Sequence, residues 1–184
     1  MDRENALKLL KENLQNQNLI KHSLAVEAVM KGLAVHFEQD PEVWGICGLL
    51  HDIDYEKTKD DAKAHSLIGA EMLQKLGFEY SICQAVKVHN EAHGVLPQTP
   101  MEKSLYVTDP LTGLIVAAVL VLPSKKIADL SVENVLNRFG EKAFARGANR
   151  QIISKCQDYL NLSLEEFVGI ALKSMQGIAN DLGL

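Results

Sequence analysis

The sequence predicts an all-α fold in a single domain, and three observations carry that expectation. Apolar residues recur at the helical period along almost the whole chain, as at Ala25, Val26, Val29 and Leu33. No stretch alternates apolar and polar residues over the length of a strand. Helix-start chemistry recurs at Asp40-Pro41, at Thr99-Pro100-Met101-Glu102 and at Ser163 with Glu166. The chain has 184 residues, 47% hydrophobic and 23% charged. That is long enough for one self-sufficient core and has the composition of an ordinary globular protein.

The elements follow in order. The stretch NLIKHSLAVEAVMKGLAVHF places His22, Ala25, Val26, Val29 and Leu33 on one helical face. Asp40 supplies a cap and Pro41 a first-turn proline for a helix running toward His51. A third helix over 62–76 stacks His65, Ile68, Gly69, Met72, Leu73 and Leu76 and stops at Gly77. A fourth carries Ile82, Ala85, Val86 and His89 until Gly94 and Pro97 break it. The capping box at Thr99 opens a fifth. Helices at 132–138 and 149–160 precede a last one over 164–181.

Charge and cysteines bound the function. The chain holds 19 Lys and Arg against 24 Asp and Glu, a net charge of −5, which argues against nucleic-acid binding by the chain as a whole. Cys47, Cys83 and Cys156 form no CxxC pair and suit reduced thiols in a cytoplasm. The start MDRENALKLL lacks the layout of a secretory signal. The apolar run LTGLIVAAVLVL is too short to span a bilayer, so we expect a cytoplasmic protein with no membrane partner.

Four histidines, His22, His51, His65 and His89, sit on the apolar faces of four consecutive helices. One such histidine is ordinarily a hydrogen-bonded core residue. Four on helices that must pack together point to a common interior. Asp52 follows His51 in CGLLHDIDYEKT, and Asp109 interrupts SLYVTDPLTGLIVA, where a buried carboxylate costs several kcal/mol unless a cation or strong donors satisfy it. Asp109 also precedes Pro110, and a lesser alternative, compatible with ligation, is that it caps a new helix opened there. Imidazoles with carboxylates and no cysteine suit one or two divalent ions among Mn, Fe, Co, Ni, Zn and Mg rather than a structural zinc. Six ligands fit two ions, with Asp52 as the natural bridge.

The order His22, His51-Asp52, His65, His89, Asp109 resembles the H…HD…H…H…D pattern of the HD superfamily of metal-dependent phosphohydrolases, over residues 20–120. The resemblance implies a helical bundle in which these six residues hold metal, with residues 123–184 as a C-terminal helical extension packed on the core. Pro110 departs from the family's continuous helix at the last ligand. The stretch VKVHNEAHGVLPQ lacks the HHE…GYP pattern of cyclic dinucleotide phosphodiesterases.

Around this set lie secondary candidates. Asp54 or Glu56, in an acidic run that otherwise reads as a solvated loop, is placed to orient a ligand histidine. His93 and Lys87 are candidate catalytic groups at the leaving oxygen, beside Asp52. Lys125, Lys126, Arg146 and Arg150 form a basic stretch able to clamp substrate phosphates. HNEAH is not the HExxH of zinc proteases, since Asn90 stands where the glutamate belongs. GxxxxGK[ST], GxGxxG and GxSxG are all absent. The reading is hydrolysis of a phosphate monoester or diester of a small molecule, of nucleotide type, by metal-activated water. Two alternatives keep the same residues: a di-iron oxygenase, and a non-catalytic module binding a nucleotide or partner. The apolar stripe of the last helix suits either the core or a homodimer.

Overall fold

Polar residues at the head of each segment set where the helices begin. The Asp2 carboxylate accepts from the Asn5 N–H to open α1 (Arg3–Asn13), and Asn16 does the same for α2 (Gln17–His36). Asp40 accepts from the N–H groups of Glu42 and Val43 to open α3 (Pro41–Leu50). Each such cap is worth about 1 kcal/mol. The short α4 (Tyr55–Thr58), then α5 (Leu67–Lys75), α6 (Tyr80–Val88) and a 3-10 turn at Glu91–His93 lead to α7 (Pro100–Leu120). The last third contains α8 (Val132–Gly140), α9 (Arg150–Ser154), α10 (Cys156–Leu160), α11 (Leu164–Gln176) and α12 (Ala179–Leu182). The structure is a computed structural model describing residues 2–184; among these there is no β-strand, and the fold is all-α as the sequence predicts.

The capping boxes expected at Thr99 and Ser163 are both formed, with a third at Ser131 and Asn134. Elsewhere the elements are shorter than the periodicity implies. The helix expected over 62–76 begins only at Leu67, because Ser66 adopts a left-handed φ of 67° and redirects the chain; His65 therefore sits in a turn, and Ile68 and Leu76 are exposed. The 149–160 segment breaks at Lys155 into α9 and α10, and the final one breaks at Gly177 into α11 and α12.

Packing is organised around two helices. On α3, a Cβ at Gly48 would lie 2.9 Å from the Val26 carbonyl oxygen of α2, so glycine is required for the close approach that sets His51 beside His22. The long α7 runs through the middle, packed against α2, α6, α8, α9, α10 and α11. By length and composition it could cross a membrane, yet 61% of its most apolar window is buried within the chain. Leu105, Leu111, Leu114 and Ile115 are wholly buried there, each contributing roughly 1.5–3 kcal/mol. The stripe on α11, Phe167, Val168, Ala171, Leu172 and Met175, is likewise buried, so the apolar face read as suiting a homodimer is taken up by the core. All three cysteines are buried free thiols.

Asp109 is not a helix cap. The α7 helix continues through Pro110, placing Asp109 in the helix interior, and Pro110 offers no N–H to the carbonyl four residues back.

Candidate metal centre

Each of the four histidines is held by one ring nitrogen so that the other faces the same interior. At the C-terminal end of α3, His51 Nδ1 donates to the Gly48 carbonyl at 2.8 Å; at the end of α6, His89 Nδ1 donates to the Val86 carbonyl at 2.6 Å. His65 Nδ1 donates to Asp54 Oδ1 at 3.0 Å. His22 Nδ1 lies 3.2 Å from Thr112 Oγ1, and the Thr112 hydroxyl donates to the Asp109 carbonyl at 2.9 Å, leaving its oxygen to accept from His22. In all four rings Nε2 is the nitrogen that faces inward.

Those Nε2 atoms converge on two carboxylates. His65 and His89 approach Asp52 Oδ1 at 3.3 and 3.4 Å, and His51 and His22 approach Oδ2 at 3.5 and 3.7 Å. His22 and His51 also approach Asp109 Oδ1 at 3.0 and 3.7 Å. His51, Asp52 and His89 are buried, whereas the Asp109 side chain is a third exposed. Successive rings meet edge to face, His22 on His51, His51 on His89 and His89 on His65, with centroids 5.1 to 5.2 Å apart. All six residues named from the sequence are thus brought together.

Electrostatics and orphaned atoms both fit a cation. Burial would lower the His51 imidazole, but the Asp52 and Asp109 carboxylates outweigh it and push it up to about 9. Burial is outweighed in the same way at His65, where hydrogen bonds with Asp52 and Asp54 push it up to about 10. Burial would raise Asp52; the charge of His51 and hydrogen bonds from His65 and His89 hold it well below the usual carboxylate range. Asp109 is held below that range by His22 and His51 against the same effect of burial. The cluster therefore demands positive charge, from protons or from metal. His51 Nε2 is also a buried nitrogen with no hydrogen-bond partner, a costly state that a metal ion relieves. Two groups have donor atoms mutually close enough to share an ion: His22, His51 and Asp109, and His51, Asp52 and His89.

The turn carrying His65 is braced from several sides. Asp54, wholly buried, accepts from His65 Nδ1 and from the Gly69 N–H at 2.8 Å; a Cβ at Gly69 would crowd the Asp54 carboxyl at 3.2 Å. Asn90, noticed in the sequence only as a departure from HExxH, donates from Nδ2 to the carbonyls of Ala62 and His65. Asp54 is thus the acidic residue that orients a histidine. Glu56 is not: its carboxylate accepts from the backbone N–H groups of Gln15 and Asn16 and ties α4 to the α1–α2 turn. Within the acidic run read mostly as a solvated loop, Asp54 is wholly buried.

The secondary candidates lie elsewhere. His93 Nε2 is bound to the His65 carbonyl at 2.8 Å and to Ser66 Oγ at 2.9 Å, so it braces the turn rather than facing the cluster. Lys87 is exposed and lines a groove between α5 and α6 with Leu67, Phe78 and Tyr80, away from the histidines. Lys125 and Lys126 are exposed beyond the far end of α7, whose run from Asp109 to Leu120 spans about 16 Å at 1.5 Å per residue. Arg146 is exposed on the loop joining α8 to α9. The Arg150 guanidinium donates to the carbonyls of Phe139, Phe144, Ala145 and Ala148, among others, and folds that loop back on itself. None of these four forms a phosphate clamp at the cluster.

A hollow of about 400 Å³ lined by Lys21, His22 and Gly113 adjoins the centre, and two more meet at Asp109, Pro110 and Gly147. One, about 320 Å³, is bounded by His22 and Gly113; the other, about 180 Å³, by His65, His89 and Tyr106. Thr112, Asn90 and Tyr106 are residues that sequence reasoning missed. Only Thr112 carried a signal, as a hydroxyl one turn beyond Asp109 on an apolar helix.

Fold and site together define a class: all-helical proteins whose interior carries a histidine and carboxylate cluster suited to a metal ion. A sequence model of the HD domain matches residues 19–114, and the chain belongs to that family, whose members are generally metal-dependent hydrolases. It is 31% identical over 153 residues to the uncharacterized protein MJ0778 of Methanocaldococcus jannaschii, covering 77% of this chain and 86% of that one. It is 30% identical to ribonuclease Y of Lawsonia intracellularis over 139 residues, 74% of this chain and 26% of the relative. Ribonuclease Y of Nitratidesulfovibrio vulgaris is 30% identical over 142 residues, 74% of this chain and 27% of the relative. The chain thus spans about a quarter of the length of these two ribonucleases. No solved structure matches.

Proposed function

We propose that this protein is a metal-dependent phosphohydrolase acting on a phosphate ester of a small molecule of nucleotide type. The observation that carries the reading is the inward convergence of four Nε2 atoms on Asp52 and Asp109, with every Nδ1 already held. His22, His51 and Asp109 would hold one divalent ion and His65 and His89 a second. Asp52, which presents Oδ2 to His22 and His51 and Oδ1 to His65 and His89, would be shared between them. When bound, such ions supply Lewis-acid activation of a water molecule and neutralise phosphoryl oxygens.

The protein's own residues do the rest. Backbone carbonyls of Gly48 and Val86 fix two rings and Asp54 and Thr112 the other two, so the donors are set before any ion arrives. The loop folded by Arg150 places Gly147 at the edge of both hollows that meet at Asp109. The relatives' name places RNA among candidate substrates, but a small ester is favoured by the net charge of −5.

The test is a panel of phosphate esters with protein loaded with Mn, Co, Ni or Mg. Hydrolysis that EDTA abolishes is the expected result. Protein that holds metal and turns over no ester would overturn the proposal and favour a binding module.

A further inference from the structure

Three hollows adjoin in series past the ligand set. The largest shares His22 and Gly113 with the next, which shares Asp109, Pro110 and Gly147 with the smallest. Among the described residues lining all three, Lys21 is the one lysine or arginine, and it borders the largest. It directly precedes the ligand His22 on α2.

Lys21 is held out in the hollow rather than on the ligands. Neighbours on a helix point about 100° apart, so Lys21 is directed away from the interior that His22 faces. Among the described residues no carboxylate lies within 4.0 Å of its Nζ, Asp52 and Asp109 included. The ammonium group packs instead on Gly183, in the turn after α12. A Cβ at Gly183 would stand 2.8 Å from Lys21 Nζ, and its φ of 70° is one that glycine adopts without strain. Residues distant in sequence thus meet to place a half-buried cation that has no counter-ion.

Around that cation the walls are apolar. Val116, Leu120, Leu182 and Leu184 line the hollow, and Leu120 is 52% exposed, with surface to offer a ligand. Along α7 the run from Gly113 to Leu120 spans roughly 10 Å at 1.5 Å per residue. A ring-sized group fits in that length beside a phosphoryl group at the metal centre.

We infer that Lys21 sets the selectivity of the phosphohydrolase proposed above, a reading on which this one rests, by binding a second anionic group of the substrate. That group is a carboxylate or a phosphate, carried on an apolar body that lies against Val116 and Leu120. A lysine ammonium pairs with either acid as a point charge. The metal centre keeps the phosphoryl group that is hydrolysed.

Phosphonates, whose P–C bond water does not cleave, separate binding from turnover. Calorimetric titration of Mn-loaded protein would compare phenylphosphonate with 4-carboxyphenylphosphonate and 1,4-phenylenediphosphonate. Phosphate release would be followed on phenyl phosphate and 4-carboxyphenyl phosphate. The wild-type protein should bind at least one doubly acidic ligand about tenfold or more tighter than phenylphosphonate, as a hydrogen bond to a charged group allows. The larger gain tells a carboxylate from a phosphate. If the carboxylate is preferred, the same preference should appear in kcat/KM, through KM. Lys21→Met should remove most of the gain while weakening phenylphosphonate by less than about threefold, the effect of a screened charge. Lys21→Arg should restore much of it, and Gly183→Ala, which crowds Nζ without removing its charge, should lose part of it. No gain in the wild-type protein, a gain that survives in Lys21→Met, or equal losses for all three ligands in that variant would overturn the role of Lys21. Turnover of phenyl phosphate would in each case leave a phosphohydrolase in place. Neither binding nor turnover of any of the five compounds would overturn both.

Discussion

His51 and His89 are fixed in a different way from His22 and His65. The first two stand at the ends of α3 and α6, buried, with Nδ1 donating to a carbonyl three residues back on their own helix. The other two rely on side chains from distant segments, Thr112 for His22 and Asp54 for His65, and are partly exposed. Backbone-held rings are oriented as soon as their helix forms. Side-chain-held rings are oriented only by tertiary assembly, and a single substitution can release them without disturbing the core. The centre is therefore half built by local structure and half by long-range contacts.

The largest effect tests what both halves share. Asp52 is approached by all four rings, so Asp52→Ala should lose bound metal and at least a thousandfold in hydrolysis while circular dichroism stays helical. Metal retention with full activity would break the comparison at its root, because no common point would then join the two halves.

Releasing one side-chain-held ring should cost less. Asp54→Asn keeps the size of the side chain but weakens its acceptor, so the His65 tautomer is no longer fixed; metal affinity should fall by about 10–100-fold, the usual cost of losing such a support. The loss should appear in metal titration while the melting temperature of the metal-free protein changes little beyond the cost of the hydrogen bond. Thr112→Val should cost His22 less, because a hydroxyl is a weaker acceptor than a carboxylate. Equal losses in the two variants would show that support by a carboxylate confers no advantage.

Proton linkage separates the metal-free from the loaded state. His51 and His65 have folded-state values raised to about 9 and about 10, above the ordinary imidazole value. In metal-free protein their stabilisation is complete below about pH 6.5 and is lost as pH rises through 9 to 10. Asp52 and Asp109, held low, contribute stability that is lost only in acid. Metal displaces the imidazole protons, so its affinity should rise with pH. Melting curves should show the gap between loaded and metal-free protein widening from pH 6 to 9; a gap that narrows would contradict the assignment of Nε2 atoms to metal.

The smallest effects belong to residues outside the cluster. Lys87→Ala and Lys125→Ala should change kcat/KM by less than about twofold, since exposed side chains away from the site contribute little.

How much of this was legible in the sequence follows the same division. His22, His51, His89 and Asp109 could be placed because each interrupts an apolar helical face, and a face that packs must carry its exceptions into the interior. His65 was found by the same periodicity although it lies in a turn: the expected helix over 62–76 starts late because Ser66 turns left-handed, which no local pattern showed. Arg150 was misread as a phosphate ligand because its partners are backbone carbonyls of a loop whose path is set by tertiary structure. The alternative of a helix start at Pro110 fails because packing carries α7 through it, although local chemistry favours a start there. The supporting roles of Thr112 and Asn90 were missed for a related reason: they depend on which ring or carbonyl folding brings to them.

The most direct measurement is anomalous scattering from crystals grown with Mn. Peaks within bonding distance of the Nε2 atoms of His22, His51, His65 and His89, with Asp52 between them, are the result expected here. Ions bound through Nδ1, or found only on the exterior, would contradict it.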